Sequence, residues 1–406
     1  MKTLGLALIG AGFMGRRHLQ GYGALWKSGY RRFTIEAIVD MNLEAAESAA
    51  DLAEELLGTR PRTYADTAAM LEQDAAVEAV DIVTDPRTHH TIAVATLDAG
   101  RHVICEKPLA LTIRTGAVMI DAAVRNGRVL ATAENYRRGG SNRLAKAVID
   151  SGLLGELYLL REVRIGGNDR VIISPWRHLK RSGSIGLDMT IHYADIVEYL
   201  LGPVDRVWGR GFIAEPLRLP VDGGEPIVAD GEDSIVVSMA TRSGVDVQLA
   251  YIPSGRGRGY SERVLHGRNG SLEVPNDRTD EDVVLNLDGE RHSGDDLRAL
   301  LGGRFALDAV TTGVLGPDGT GGKGAAWADV DAGHLAVELA DFIDAALDGG
   351  EPEVDGMGGL RALAIVHAAL ESGISGREVR VDDVLDGTLH GYQDEIDAQF
   401  EPAASA

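Results

Sequence analysis

The sequence predicts a two-part chain: an α/β half built on a doubly wound parallel sheet, then an α+β half with a large open, mostly antiparallel sheet. Three observations carry this. Across residues 3–133 short β-branched runs alternate with longer helical patterns, the cadence of right-handed crossovers. Beyond Val129-Leu130-Ala131-Thr132, strand-like stretches follow one another, separated by turn residues such as RSGV and GRNG. A chain of 406 residues also exceeds one ordinary core, so two domains are expected, 1–133 and 134–406.

In order, LGLALIG leads into FMGRRHLQGYGAL, FTIEAIVD into LEAAESAADLAEELL, VDIVT into THHTIAVATLDAG, and HVICEK into TIRTGAVMIDAAVRNG. Each pair is a buried strand followed by a covering helix. In the second half a helix over Asn142–Ser151 precedes ELYLLREVRI, and a helix from about Ile185 to Leu201 precedes RVWGRGFI, SIVVSMAT, VDVQLAYI, ERVLHG and SLEVP. Glycine crowds the stretch between Leu301 and Trp327, with GPDGTGGKG as its extreme. That stretch reads as a flexible surface loop or as a mobile lid over a cleft. Helical patterns return in HLAVELADFIDAALDGG and GLRALAIVHAALESG, and no internal repeat is visible.

The composition, 44% hydrophobic and 25% charged, is that of a globular protein. No segment approaches the ~20 uninterrupted apolar residues of a membrane span, and MKTLGLALIG lacks a signal-peptide cleavage pattern, so a cytoplasmic location is expected. A net charge of −22 argues against nucleic acid or an anionic membrane as partner, because both require clustered positive charge. The single cysteine, Cys105, has no partner for an internal disulfide and sits in an apolar run, where it reads as an inert core thiol.

LALIGAGFMGRRH places Gly10, Gly12 and Gly15 in the G-x-G-x-x-G spacing. The first glycine permits a tight turn, the second lets a pyrophosphate approach the backbone, and the third lets helix and strand pack closely. The helix opening near Phe13 and Met14 then aims free N–H groups at the phosphates. Because the motif follows an apolar strand and opens a helix, it predicts a Rossmann dinucleotide site. The next strand ends in Asp40, 25 residues past Gly15, close to the spacing of about 20 for the carboxylate that accepts from the adenosine ribose. Its charge would repel a 2′-phosphate, and Met41 and Asn42 supply no cation, so NAD is expected in preference to NADP. An N-cap for the next helix is the plainer role for Asp40.

VICEKPLALT sets Glu106-Lys107-Pro108 at a strand end. The chain holds only six lysines against thirty-four arginines, so a lysine here is not generic solubilising charge. Carboxyl ends of parallel strands face the ligand crevice, and Thr84-Asp85-Pro86 stands at another such end; both would line the nicotinamide side. A lysine there offers a mobile ammonium to a reacting hydroxyl, and proline fixes the turn.

In SGSIGLDMTIHYADIVEYLLG, Asp188, His192 and Asp195 share an arc of about 60°, with Met189, Tyr193, Ile196, Val197, Leu200 and Leu201 opposite. One face is core and the other carries two carboxylates and an imidazole. No second histidine or cysteine completes a metal site, so none is expected. A structural histidine and an acid/base group oriented by a neighbouring carboxylate remain.

Gly10-Ala11-Gly12-Phe13-Met14-Gly15, Glu106-Lys107-Pro108 and Asp188-x-x-x-His192-x-x-Asp195, in that order, resemble the glucose-fructose oxidoreductase, inositol dehydrogenase and rhizopine-catabolism (Gfo/Idh/MocA) family of sugar and polyol dehydrogenases. The similarity extends through THHTIAVATLDAGRHVICEKPLALT, AENYRR, VIDSGLLGEL, PWR and GLRALAIVHAALESG. The resemblance implies a catalytic set of Lys107, Asp188 and His192, with Thr84, Pro86, His90 and Glu106 flanking the nicotinamide. Asn135, Tyr136, Trp176 and Arg177 would approach the substrate. Three departures bear on which substrate: Asp85 inserted before Pro86 with Arg87 after it, Gly139-Gly140 in place of the proline after NYR, and Ser182-Gly183-Ser184 in place of paired glycines.

The reading is a two-domain NAD-dependent dehydrogenase that exchanges hydride between nicotinamide and a secondary carbinol of a cyclic sugar or polyol. Within enzymes the alternative is a tightly bound, recycled NAD, as in oxidoreductases or glycosidases that oxidise a sugar transiently. From another class, a non-catalytic NAD-sensing protein would keep the fold without the chemistry. Alternation in SIVVSMAT and VDVQLAYI puts apolar residues on both sheet faces, which predicts a homodimer or homotetramer through the C-terminal sheet.

Overall fold

The computed structural model describes residues 2–279 and 281–400. Its first part alternates β1 (Leu4–Ile9), α1 (Phe13–Lys27), β2 (Phe33–Val39), α2 (Leu43–Leu57), β3 (Arg62–Tyr64), α3 (Thr67–Gln73), β4 (Ala79–Ile82), α4 (Pro86–Asp98), β5 (His102–Glu106), α5 (Ile113–Asn126) and β6 (Leu130–Ala133). The six strands form a parallel sheet in the order β3-β2-β1-β4-β5-β6. β1, β4 and β6 are buried along their whole length, which is why they read as continuous apolar runs. The helices begin where the sequence supplies caps: Asn42 accepts from the first turn of α2, Thr112 caps α5, and Asp85 caps α4 with Pro86 at its first position. The residue inserted before Pro86 is thus a helix cap. Strand order reverses between β1 and β4, and their carboxyl ends open a crevice there.

The second part contains α6 (Gly140–Asp150), β7 (Leu157–Ile165), α7 (Ile185–Leu201), β8 (Val204–Phe212), β9 (Leu217–Arg218), β10 (Ile227–Val228), β11 (Ser234–Thr241), β12 (Asp246–Ile252), β13 (Tyr260–Gly267), β14 (Gly270–Glu273), β15 (Val284–Leu287) and β16 (Glu290–Ser293). After α8 (Gly294–Leu301) and α9 (Ala309–Leu315) come α10 (Trp327–Asp348), α11 (Gly356–Ser375) and β17 (Val379–Arg380). Nine strands pair in the order β16-β15-β14-β13-β7-β12-β11-β8-β17. The sheet is antiparallel except where β7 meets β12 in parallel, so it is mixed. Turn residues could announce the hairpins, but that one pair depends on where β7 enters the sheet from outside them. Helices α7 and α11 pack against one face; the other leaves Trp208 and Val236 61% and 42% exposed.

The glycine-rich stretch lies largely at the surface, as its composition suggests, but is not loop throughout. It holds α9 and then a turn in which the Gly319 carbonyl accepts from the Gly140 N–H at 3.0 Å. A Cβ on Gly140 would lie 2.2 Å from the Asp318 carbonyl oxygen, so backbone packs on backbone there. This contact accounts for glycine where a proline was expected.

Both long C-terminal helices return to the first sheet. Leu339, Phe342 and Ile343 of α10 share a core with Leu4, Leu6, Leu8, Leu19 and Leu25, and α11 lies on β6, where a Cβ on Gly359 would meet the Thr132 side chain at 2.1 Å.

Candidate active site

The glycine turn shows three different requirements at its three glycines. Gly10 adopts φ 104°, a left-handed conformation that glycine alone tolerates well, and donates to the Val39 carbonyl at 2.8 Å. A Cβ on Gly15 would stand 1.9 Å from the Gly10 carbonyl oxygen, so α1 rests directly on the turn. Around Gly12 the same added atom would meet nothing within 4 Å. No side chain caps the helix at Gly12, which leaves the N–H groups of its first turn facing that open space. These residues fit a dinucleotide pyrophosphate. Asp40 holds the adjoining corner: its two oxygens accept the Ala11 and Asn42 N–H groups, each at 2.8 Å. Asn42, rather than Asp40, is the N-cap of α2.

At the ends of β4 and β5 the turns are tied together. The ring nitrogens of His89 lie 3.0 Å from the Pro108 carbonyl and 3.2 Å from that of Thr84, and Pro86 at the start of α4 is buried. His90 is not brought to this cluster; its ring meets Phe400 edge-on at 4.6 Å. The neighbouring histidine takes the place because a helix starting at Pro86 turns His89 back toward the sheet. Glu106 also points inward. Its carboxylate accepts the Lys107 N–H at 2.9 Å and lies 3.2 Å from His18, which in turn lies 2.9 Å from Asp81. Burial alone would raise the Glu106 carboxyl, but His18 and Lys107 bring it down to about 2.

Lys107 reaches out of the first domain to α7. Its ammonium donates to the Asp188 carbonyl at 2.9 Å and to Oδ1 at 3.0 Å, which leaves one of its three N–H donors uncommitted by these contacts. Asp188 Oδ2 accepts from Arg177 Nε at 3.0 Å, and the Arg177 guanidinium lies 4.3 Å from the Trp176 ring centre. Burial opposes ionisation of Asp188, yet the charges of Lys107 and Arg177 hold its pKa below the usual range.

One helical turn further on, His192 does not pair with either carboxylate of its own helix. Its Nδ1 bonds Oε2 of Glu134 at 2.7 Å, while Asp195 accepts from Arg137 Nε at 2.9 Å. The polar face of α7 is therefore as buried as its apolar face, because the first domain and the turn after β6 cover it. Tyr136 stacks on His192 with ring centres 4.0 Å apart and planes 4° from parallel. Asn135 accepts from Arg278 at 3.1 Å. Rings and guanidinium groups alternate from the glycine turn to this histidine: Phe13, Arg17, Trp327, Arg278, Tyr136, His192, spaced 5.6, 5.4, 5.5, 4.8 and 4.0 Å. Asp331 holds both arginines, each through Nε at 2.8 Å.

Glu134, Arg137, Arg278 and Asp331 escaped the sequence reading. Glu134 had a signal, since it stands at the end of β6 as Glu106 does at the end of β5; Arg278 and Asp331 had none, being placed by tertiary packing. Among the described residues no group of His, Cys, Asp or Glu is arranged to hold a metal ion, and no helix is long and apolar enough to cross a membrane.

A glycine-turn dinucleotide fold whose strand end carries a lysine onto an Asp–His helix defines the class of NAD-binding oxidoreductases. Residues 4–134 match the oxidoreductase family, NAD-binding Rossmann fold, and residues 142–273 match the GFO/IDH/MocA C-terminal domain. The chain belongs to the Gfo/Idh/MocA family. It is 29% identical to levoglucosan dehydrogenase of Pseudarthrobacter phenanthrenivorans, over 92% of this chain and 96% of that protein. It is also 29% identical to myo-inositol 2-dehydrogenase of Thermotoga maritima, over 80% and 85%. The structure of a levoglucosan dehydrogenase in complex with NADH and levoglucosan shares the fold with TM-score 0.75 at 25% identity, covering 94% of this chain and all of the other.

Proposed function

We propose that this protein is an NAD-dependent dehydrogenase acting on a secondary carbinol of a cyclic sugar, polyol or sugar derivative, with residues 1–133 holding the cofactor and 134–406 the substrate. The observation that carries this is the convergence of Lys107, Asp188 and His192 from opposite halves of the chain. NAD, when bound, supplies the hydride acceptor. Lys107, fixed by Asp188, turns its remaining donor to the carbinol oxygen and favours the alkoxide that develops there. His192 Nε2, which no described residue bonds, accepts the hydroxyl proton, and the Tyr136 stack keeps the ring oriented. Arg177, bonded to Asp188, with Trp176 beside it and Asn135 next to Tyr136, would contact the substrate's other hydroxyls. The similarity to levoglucosan and inositol dehydrogenases supports a cyclic polyhydroxylated substrate. An absorbance screen at the NADH band over anhydrosugars, inositols, aldoses and sugar acids tests the reading, and no turnover of any of them with NAD or NADP refutes it.

The exposed sheet face bearing Trp208 and Val236 supports assembly into a homodimer or homotetramer. Light scattering should give a multiple of the chain mass, and Trp208→Asp should reduce it; a monomer at every concentration contradicts the assembly.

A further inference from the structure

We propose that Glu134 stores a proton behind His192: as Nε2 takes the substrate proton, the Nδ1 proton passes to Oε2 of Glu134, and the imidazole stays neutral throughout. This rests on the reading of His192 as the proton acceptor. The bond along which the proton moves is the 2.7 Å contact between Nδ1 and Oε2.

The surroundings make a lasting imidazolium the wrong product. His192 is buried, with Lys107 from the end of β5 and Arg278 from the loop before β15 both bearing on it. Asp188, on the same helix, is already shared between Lys107 and Arg177. Glu134 is the reverse case. Its Oε1 is buried with no hydrogen-bond partner, so its carboxylate form has the His192 Nδ1–H at Oε2 as its single donor. The charged groups bearing on it oppose one another, with Lys107 and Arg137 favouring the carboxylate and Glu106 and Asp188 disfavouring it. Two further carboxyl groups bear on it, Asp195, which bonds Arg137, and Glu338 of α10, whose two oxygens are buried and unpartnered; negative charge on either disfavours ionised Glu134.

Burial, only partly offset by Lys107 and Arg137, pushes the Glu134 carboxyl up to about 8, while burial and the two cations push His192 well down. The order of basicity is therefore inverted relative to the Ser-His-Asp triad, in which the carboxylate stays ionised. With two protons the pair reads Glu134–OH···Nδ1 and Nε2–H, a donor toward the substrate. With one it reads Glu134–O⁻···H–Nδ1 and a free Nε2 lone pair, the acceptor needed for alcohol oxidation. The balance closes: one proton leaves the hydroxyl, one arrives on the carboxylate, and the hydride leaves the carbinol carbon for the oxidised cofactor.

Glu134→Gln keeps the shape and still accepts from Nδ1–H but holds no proton. Infrared difference spectra of the unliganded protein between about pH 6 and about pH 10 should show a protonated-carboxyl band that disappears with rising pH in the wild type and is missing in E134Q. The single-turnover oxidation rate should rise through an ionisation near 8 in the wild type. In E134Q that ionisation should vanish and the rate fall by roughly 10²-fold, with KM and NADH affinity little changed. Glu134→Asp, which retains a carboxyl, should retain both the band and an ionisation, and serves as the test if E134Q does not fold. An unchanged band difference in E134Q, no such band in the wild type, or an E134Q rate profile identical to wild type overturns the proposal. The infrared reading does not depend on turnover, so a fully active His192→Ala variant would fail the dehydrogenase assignment of His192 separately.

Discussion

Substituting the second and third glycines of the turn by alanine should damage two different properties. At Gly15 the new Cβ would stand 1.9 Å from the Gly10 carbonyl oxygen, whereas ordinary contact begins at 3.4 Å, so α1 must lift from the turn by the 1.5 Å difference. Both partners are backbone, and no rotamer change relieves the overlap. A gap of that size forfeits much of the dispersion contact along the α1 face, and overpacking of this kind costs about 1–3 kcal/mol, or several degrees in Tm. At Gly12 the Cβ enters open space and φ is −74°, so alanine is accommodated. The loss there is limited to the N-cap preference, about 1 kcal/mol or less, but the methyl occupies the space assigned to the pyrophosphate. NADH affinity should fall about 10–100-fold, equivalent to ~1.4–2.7 kcal/mol. Urea unfolding without cofactor and fluorescence titration with NADH separate the two effects. A Gly12→Ala protein that binds NADH with wild-type affinity would refute the placement of the cofactor; a Gly15→Ala protein of unchanged stability would refute the packing account.

Asp40→Ser should weaken NAD use and spare NADP, because it removes the charge that repels a 2′-phosphate; preference for NADP by the unmodified protein contradicts this in steady-state assays. His192→Ala should lower kcat by roughly 10²–10⁴-fold with little change in NADH affinity. Lys107→Ala should cost a similar factor and in addition weaken nicotinamide placement, since it stands on the cofactor domain's strand end; near-normal single-turnover rates in His192→Ala alone would make the lysine the acid/base. Glu106, held at about 2 in the fold against about 4.3 when unfolded, contributes stability that is present above the unfolded value and lost as pH falls through the folded one. Glu106→Gln should therefore flatten the acid limb of stability in urea melts between about pH 4.3 and about pH 2.

The sequence carried what periodicity and strand-end logic can carry. The parallel sheet follows from apolar runs alternating with helical patterns, and strand-end logic places the glycine turn, Asp40 and Lys107 at the carboxyl ends of β1, β2 and β5, where Lys107 meets Asp188 of α7. What it did not carry depends on contacts between distant segments. The sequence offers His192 the carboxylates of its own helix, at four- and three-residue spacings, but the ring turns instead to Glu134 at the end of another strand. The polar face of α7 could be read as carrying chemistry, but which cations meet it could not, because Lys107, Arg177 and Arg137 come from three other segments. His89 and His90 differ only in helical phase, which the start at Pro86 decides.

The return of α10 onto α1 gives the order of synthesis a role. Its Leu339, Phe342 and Ile343 complete the core under the first sheet, yet they lie beyond nearly all of the second domain. At ~5–20 residues per second, α10 leaves the ribosome on the order of 10–40 s after β6. During that interval α1 is covered by its own sheet and by α2 but not along the strip where Gly21 meets Leu335 and Leu339, so the first domain leaves the ribosome with an apolar patch that only a much later helix closes.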